Sequence, residues 1–222
     1  MVSNTCYSQN IRMETPQNVV SLQSTGSVEV QQDLLVISMN TTKDGADSAG
    51  VQNQLKAALD AALSDAKKTA QPGQMDVRTG AFSMYPRYGR DGKINGWQGS
   101  TELVLEGRDF ARISSAAGKI NTLTLGQVSF GLSREARAKV EGEAQTQAIE
   151  RFKTKAGEIS KNFGFAGYSI REVNVNANDQ GFAPRGRVEM MQAKAISSDA
   201  PLPTEAGRST VVVTVNGSVQ MK

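Results

Sequence analysis

The amino-acid sequence predicts an α+β protein in which mixed, mostly antiparallel sheets pack against one long alanine-rich helix and two shorter helices. Two observations predict this class. Stretches in which apolar and polar residues alternate, as in strands, lie between stretches in which apolar residues recur every three or four positions, as in helices. A glycine-rich stretch containing Asp91-Gly92 and Asn95-Gly96 predicts a hairpin, which joins antiparallel strands. At 222 residues, the chain suits one large domain or two small, intimately packed ones.

The first predicted elements are two strands separated by a bend. Residues 28–39 are apolar and β-branched on both sides of a polar step at residues 31–33. This pattern indicates a strand, a bulge or tight turn, and a second strand. Residues 41–50 have the composition of a turn.

A helix is predicted to follow this turn. Asp47 or Ser48 is suited to its N-cap, because both side chains accept hydrogen bonds from free backbone N–H groups in a first turn. Apolar residues then recur at spacings of three and four over residues 51–70, and Gln-Pro-Gly at residues 71–73 ends the pattern.

The next predicted unit is a hairpin. Residues 75–88 form its first strand, residues 89–96 its tip and residues 97–106 its returning strand. After the hairpin, Asp109 is expected to cap a short helix over residues 110–120.

The second half of the chain predicts strand 123–132, a long helix that Ser133 caps, and strand 168–177. The long helix has a mostly alanine stripe, which permits close packing on a sheet or on another subunit. Its members are Ala136, Val140, Ala144, Ala148, Phe152, Ala156, Ile159 and Phe163. Residues 178–209 are predicted to form a long loop, and residues 210–221 are predicted to form a final strand. Residues 1–18 are predicted to form a flexible leader.

The composition argues against the common catalytic and metal sites. The chain contains no histidine, which removes the commonest general base and the commonest zinc ligand. Cys6 is the only cysteine, so no disulfide within the chain is possible. We therefore expect no catalytic residue, no cofactor and no bound metal, and we predict a non-enzymatic protein.

The remaining motifs point the same way. No phosphate-binding glycine loop occurs, and Ser64 and Lys67 have the S-x-x-K spacing without the other motifs of that enzyme class. The 25 basic and 22 acidic residues are interspersed, so no nucleic-acid partner is expected. No stretch approaches the ~18 to 20 apolar residues of a membrane span, and no signal-like segment begins the chain. The chain is expected to be soluble, with any export signal already removed.

One surface has the composition of a binding site. The hairpin at residues 82–97 interleaves aromatic and basic side chains, a combination that proteins use for stacking on ligands. Aromatic residues are also common in ordinary strands, and basic residues keep sheet edges soluble. The candidate partner or ligand surface consists of Tyr85, Arg87, Tyr88, Arg90 and Trp97.

The order of elements and several local strings resemble the SIMPL-domain family over residues 26–221. The resemblance lies in features that follow one another in the expected order. They are Asp33 at the bend, helix 51–70, residues 76–88 with Thr79, Pro86 and Tyr88, residues 97–99, 103–110 and 128–133, the alanine-rich helix and the closing strand.

The resemblance implies an α+β fold, a periplasmic or secreted setting, self-association and a link to envelope or oxidative stress. It implies no catalytic residues. From the resemblance and the sequence together we predict an envelope structural or interaction protein that forms a homo-oligomer through strand edges and the long helix. The alternative hypothesis is a binding module for a small molecule, glycan or peptide that uses the hairpin at residues 82–97.

Overall fold

A computed structural model of the chain describes residues 17–178 and 205–222. The described residues form seven strands and three helices. In chain order these are β1 (Val19–Gln31), β2 (Leu34–Gly45), α1 (Ser48–Lys67), β3 (Asp76–Tyr88), β4 (Ile94–Gly107), α2 (Phe110–Lys119), β5 (Thr124–Gly131), α3 (Arg134–Asn162), β6 (Tyr168–Asn178) and β7 (Arg208–Met221). This content confirms the predicted α+β class.

The described residues divide into two compact units. The first holds residues 17–28, 141–178 and 212–222, and the second holds residues 29–140 and 205–211. The first unit contains a three-stranded sheet with the order β1-β7-β6. The second contains a four-stranded antiparallel sheet with the order β3-β4-β2-β5. The strands on either side of the bend at Gln32 and Asp33 therefore belong to different sheets.

The core of the second unit lies between its sheet and the helices α1 and α2. Alternate residues of β2 and β4 point to the same side, as the two-residue period of a strand requires. On that side Leu35, Ile37, Leu103 and Leu105 are fully buried. They pack with the apolar stripes of the two helices, which include Ala62 and Ala66 of α1 and Ile113, Ala116 and Ala117 of α2.

The N-cap of each helix is among the residues that the sequence predicts. The Asp47 carboxylate accepts a hydrogen bond from the Gly50 N–H at 2.8 Å, so Asp47 rather than Ser48 caps α1. Asp109 caps α2 by accepting from the Arg112 N–H at 3.0 Å. Ser133 caps α3, because its hydroxyl accepts from the Ala136 N–H at 3.2 Å. Caps are local interactions between residues three apart, so the local sequence is enough to locate them.

In the first unit, the alanine stripe of α3 lies directly on the three-stranded sheet. Ala144, Ala148 and Ala156 are fully buried, and Phe152 supplies the large side chain among them. The close approach has a specific requirement at Gly26 of β1. A Cβ atom there would overlap the Ala144 carbonyl oxygen and lie 2.7 Å from the Ala148 nitrogen. Small residues on both elements thus allow the helix and the strand to touch.

Several predictions about element limits are wrong, and one of them is the end of α1, which lies at Lys67 instead of residue 70. Residues 41–45 continue β2 instead of forming a turn, because they pair with β4 as far as Gly45 and Trp97. Backbone pairing with a neighbouring strand here overrides the local turn composition. Phe163 does not belong to the buried stripe, since α3 ends at Asn162 and the Phe163 side chain is 71% exposed. Finally, β4 begins at Ile94, so the hairpin tip is shorter than predicted.

The leader predicted over residues 1–18 lies almost wholly outside the described residues. The same holds for most of the loop predicted over residues 178–209, although β7 already begins at Arg208. Within residues 17–178 and 205–222, no helix is both long and apolar enough to span a membrane.

Candidate functional site

The β3–β4 hairpin carries the aromatic and basic residues that the sequence singles out. Its tip is closed by the Gly89 N–H, which donates to the Lys93 carbonyl at 2.8 Å. Gly92 supplies the positive φ of 73° that the turn requires and that side chains other than glycine rarely adopt. The predicted hairpin is therefore confirmed, and its tip holds Arg90 in an exposed position.

Strand alternation places the predicted site residues on two different faces of the hairpin. Pro86 pairs with Trp97, and Tyr88 pairs with Ile94. Paired residues share a face and successive residues alternate between faces. These four residues therefore lie together on the face of β4 that, further along, buries Leu103 and Leu105 under the helices.

We call Pro86, Tyr88, Ile94 and Trp97 the hairpin patch. Tyr88 is 64% exposed and Ile94 is 52% exposed, whereas Trp97 is half-buried. The patch is an apolar and aromatic surface beside the hairpin tip. Ile94 belongs to it but was absent from the predicted site, because its place depends on the register of the two strands.

Tyr85 and Arg87 lie on the opposite face. Tyr85 pairs with Gln98, and Gln98 pairs on its other side with Asp44. The Arg87 guanidinium lies 3.6 Å from the Asp44 carboxylate, and both side chains are about half exposed. An exposed pair of this kind contributes little to stability. The structure thus brings Tyr88 and Trp97 together but separates them from Tyr85 and Arg87.

A second cluster of polar residues surrounds Asp33 in the same unit. The Asp33 carboxylate accepts hydrogen bonds from the Ser133 N–H and the Ser133 hydroxyl, each at 2.7 Å. It also accepts from Nε and Nη2 of Arg108 at 3.2 and 3.0 Å. Arg108 Nη2 lies 2.7 Å from the Ser133 hydroxyl oxygen as well. We call Asp33, Arg108 and Ser133 the Asp33 cluster.

The electrostatics of the Asp33 cluster favour an ionised carboxylate. Partial burial alone would raise the pKa of Asp33. The hydrogen bonds from Ser133 and the hydrogen bond and positive charge of Arg108 outweigh burial, and they lower the pKa below its usual value. A carboxylate stabilised in this way is a weak general base, since it holds protons poorly near neutral pH.

The geometry of the Asp33 cluster suits a structural role. Ser133 is buried, and its hydroxyl group caps α3 while it contacts Asp33 and Arg108. The cluster thereby joins the bend after β1, the end of β4 and the first turn of α3. A negative charge at a helix N-terminus is also favourable, because the backbone N–H groups there carry partial positive charge.

Two further groups of residues in the described ranges are relevant to chemistry: the S-x-x-K pair and possible metal ligands. Ser64 and Lys67 lie on the exposed side of α1. In the part of the chain that the structure describes, no group of three or more acidic, cysteine or histidine residues is placed to hold a metal ion.

A third feature is the outer edge of the three-stranded sheet. β6 lies at that edge, and three of its apolar side chains are exposed by 40 to 49%: Ile170, Val173 and Val175. They pair with Val219, Gly217 and Val215 of β7, so they point to the side of the sheet on which α3 lies. We call these three residues and the outer backbone of β6, which pairs with no other described strand, the β6 edge.

The fold and these surfaces define an α+β protein of two sheets whose clustered polar residues cap and brace its elements. Its exposed apolar groups lie on a hairpin and on an edge strand. The chain belongs to the SIMPL family, described as a protein of unknown function (DUF541), whose model matches residues 20–219.

Other comparisons add little to this assignment. No curated protein sequence matches the chain. Two solved structures, of AtUAH with glyoxylate and of AtUAH with (S)-hydroxyglycine, each show 15% sequence identity and a TM-score of 0.26. In both cases the match covers 60% of this chain and 34% of the other, so the chain spans about a third of the length of those proteins.

Proposed function

We propose that this protein is a non-enzymatic structural or interaction protein of the bacterial envelope, periplasmic or secreted, that works as a homo-oligomer. The observation that carries the proposal is the β6 edge. A long edge strand with exposed apolar side chains is a template for pairing with another chain, and proteins usually protect such edges. The Asp33 cluster supports a structural role, because its carboxylate braces three elements.

The envelope setting and a link to envelope or oxidative stress rest on the family resemblance. A structural protein of this kind acts through the surfaces that it presents, so a stress phenotype follows from loss of its assembly. The assembly itself is the part of the proposal that one measurement tests directly.

We expect light scattering over about a hundredfold range of concentration to give a stable mass of several times 23.7 kDa. The mass should persist in high salt, because salt screens exposed ion pairs but leaves apolar contacts and strand pairing in place. A monomer at every concentration would contradict the proposal. A mass that collapses in salt would show that surface charge holds the copies together instead of strand edges.

The second candidate function is a binding module for a small molecule, glycan or peptide, and the hairpin patch favours it. Tyr88 and Ile94 are exposed apolar groups beside Trp97, and aromatic faces of this kind stack on sugars and other planar or ring-shaped ligands. Trp97 is the only tryptophan, so its fluorescence reports directly on occupancy of the patch.

We expect Tyr88→Ala to weaken binding of a soluble oligosaccharide that quenches Trp97 fluorescence by about tenfold or more, the usual effect of losing a stacked aromatic group. Tyr85→Ala is a matched control, because Tyr85 is equally exposed at 64% but lies on the opposite face. Both variants should keep the melting temperature within a few degrees. Equal effects of the two substitutions, or no quenching by any oligosaccharide tested, would reject this function for the patch.

A further inference from the structure

The two sheets have four edge strands. In the described part of the chain, three of them have features that hinder pairing with a strand of another molecule. The edge of β1 is covered by α3 of the same unit. Arg151 Nη1 donates to the Thr25 carbonyl at 2.7 Å, and Lys155 Nζ donates to the Gln23 carbonyl at 3.3 Å. These bonds occupy carbonyl groups that another strand would need.

The two edges of the four-stranded sheet are guarded in other ways. β3 is interrupted by register shifts after Thr79 and after Arg87 and contains Pro86, which has no N–H to donate. At the first shift the Ala81 N–H donates to the Glu102 carboxylate of β4 at 3.1 Å, so β3 departs from regular strand geometry there. β5 has only 8 residues and pairs irregularly with β2: at a register shift between Ile37 and Met39, its Gln127 N–H donates to the Ser38 hydroxyl of β2 at 3.1 Å.

Among the described residues, the β6 edge has one register shift, at Arg171, and residues 172–178 then pair regularly with β7. β6 has 11 residues, contains no proline or lysine, and has Arg171 and Glu172 as its only charged residues. Its net charge is therefore zero, and two antiparallel copies of it do not repel one another. Its exposed valines, Val173 and Val175, continue the apolar side of the sheet beyond the core formed with α3.

From this contrast, and resting on the proposed function, we infer that the β6 edge binds a second copy of the same chain by antiparallel strand pairing. The pairing joins two three-stranded sheets into one of six strands. A two-fold axis through Asn174 places Val173 of each copy opposite Val175 of the other. Directly opposed residues on one face make the closest side-chain contacts of an antiparallel pair, so this register buries both valines at once.

The register has a precise consequence for the opposite face of the sheet. Asn174 lies opposite Asn174 of the second copy, within the 4.5 to 5.5 Å Cα separation that antiparallel pairs have. Asn216 of β7 pairs with Asn174 and lies on the same face. Both copies of β6 lie between Asn216 of one copy and Asn216 of the other. Strands are about 4.8 Å apart, so the two Asn216 residues are about 14 Å apart.

A cysteine cross-link tests this inference. In a Cys6→Ser background, Asn174→Cys is expected to form a disulfide-linked dimer as its main product under mild oxidation. Asn216→Cys is the matched control, because the pairing keeps its Cα atoms beyond the 7 Å that a disulfide spans. We expect at least a tenfold slower link for the control. Equal linking of the two variants, or linking of Asn216→Cys alone, would overturn the inferred register.

A second variant separates this inference from the proposed function. Val173→Lys adds a charge to an exposed position, so the monomer should still fold, but it should lower the mass measured by light scattering. If the assembly persists in Val173→Lys and Asn174→Cys does not link, the β6 inference fails and self-assembly stands. If the unmodified chain is monomeric and Asn174→Cys does not link, both fail.

Discussion

Phe152→Ala is expected to lower the free energy of unfolding of the first unit by about 3 to 5 kcal/mol, the range for truncating a buried phenylalanine. Phe152 is 2% exposed and is the largest fully buried side chain of the chain's described part. Its neighbours along the α3 stripe, Ala148 and Ala156, are too small to fill the space that it leaves. The cavity would therefore remain open, which places the loss toward the upper end of that range.

Two spectroscopic signals allow unfolding of the two units to be followed separately. Urea unfolding followed by far-ultraviolet circular dichroism reports on both units, whereas Trp97 fluorescence reports on the second unit alone. Circular dichroism should reveal a transition shifted to lower urea in Phe152→Ala, and Phe152→Leu should lose markedly less because it leaves a smaller cavity. An unshifted circular dichroism transition would contradict the packing of α3 on its sheet.

Asp33→Ala is expected to lower the free energy of unfolding of the second unit by about 2 to 3 kcal/mol near pH 7, as for lost hydrogen bonds to a charged group. The ion pair with Arg108 adds little to this figure, because both side chains are partly exposed to water. Most of the loss of stability comes from Ser133, which is buried. In the variant its N–H and hydroxyl groups would stay out of water but would have no carboxylate to donate to.

The effect of Asp33→Ala should become smaller in acid. Because the pKa of Asp33 is lowered in the folded protein, the carboxylate contributes its stabilisation above the unfolded pKa of about 3.9. That contribution is lost as the pH falls through the folded pKa. The difference between the wild-type and Asp33→Ala unfolding midpoints, followed by Trp97 fluorescence, should therefore decrease as the pH falls below about 4.

Asp76→Ala is the control for this series. Asp76 is exposed at the start of β3 and lies outside the Asp33 cluster, so its removal should change stability by less than about 0.5 kcal/mol. A difference between wild type and Asp33→Ala that stays constant from pH 7 into acid would indicate that the carboxylate charge does not matter. In that case the cluster would stabilise the fold by packing alone.

Local sequence and tertiary structure each determine part of the hairpin patch. Alternation along residues 82–88 already predicts that Tyr85 and Tyr88 point to opposite sides, because they are three positions apart. The register shift after Arg87 then sets which residue of β4 lies beside Tyr88, and it selects Ile94. No local pattern predicts that shift, since it depends on how β3 and β4 pair along their whole length.

The alanine stripe of α3 was predicted from its spacing, and its buried part follows that prediction from Val140 to Ala156. Phe163 continues the same spacing but lies beyond the last residue of α3 and is exposed. Periodicity identifies the side of a helix that is apolar. How far a neighbouring sheet extends along that side is a property of the packed structure.

Local sequence patterns were enough to predict the α+β class, the hairpin and the caps of α2 and α3, and they narrowed the cap of α1 to Asp47 or Ser48, because each depends on residues a few positions apart. Only the tertiary structure placed Asp33 against Ser133, 100 residues away, and against Arg108. It also assigned β1 and β2 to different sheets and placed β6 at the edge of the three-stranded sheet. Those outcomes depend on which strands pair, and strand pairing is decided by the competition among distant segments for the same backbone hydrogen bonds.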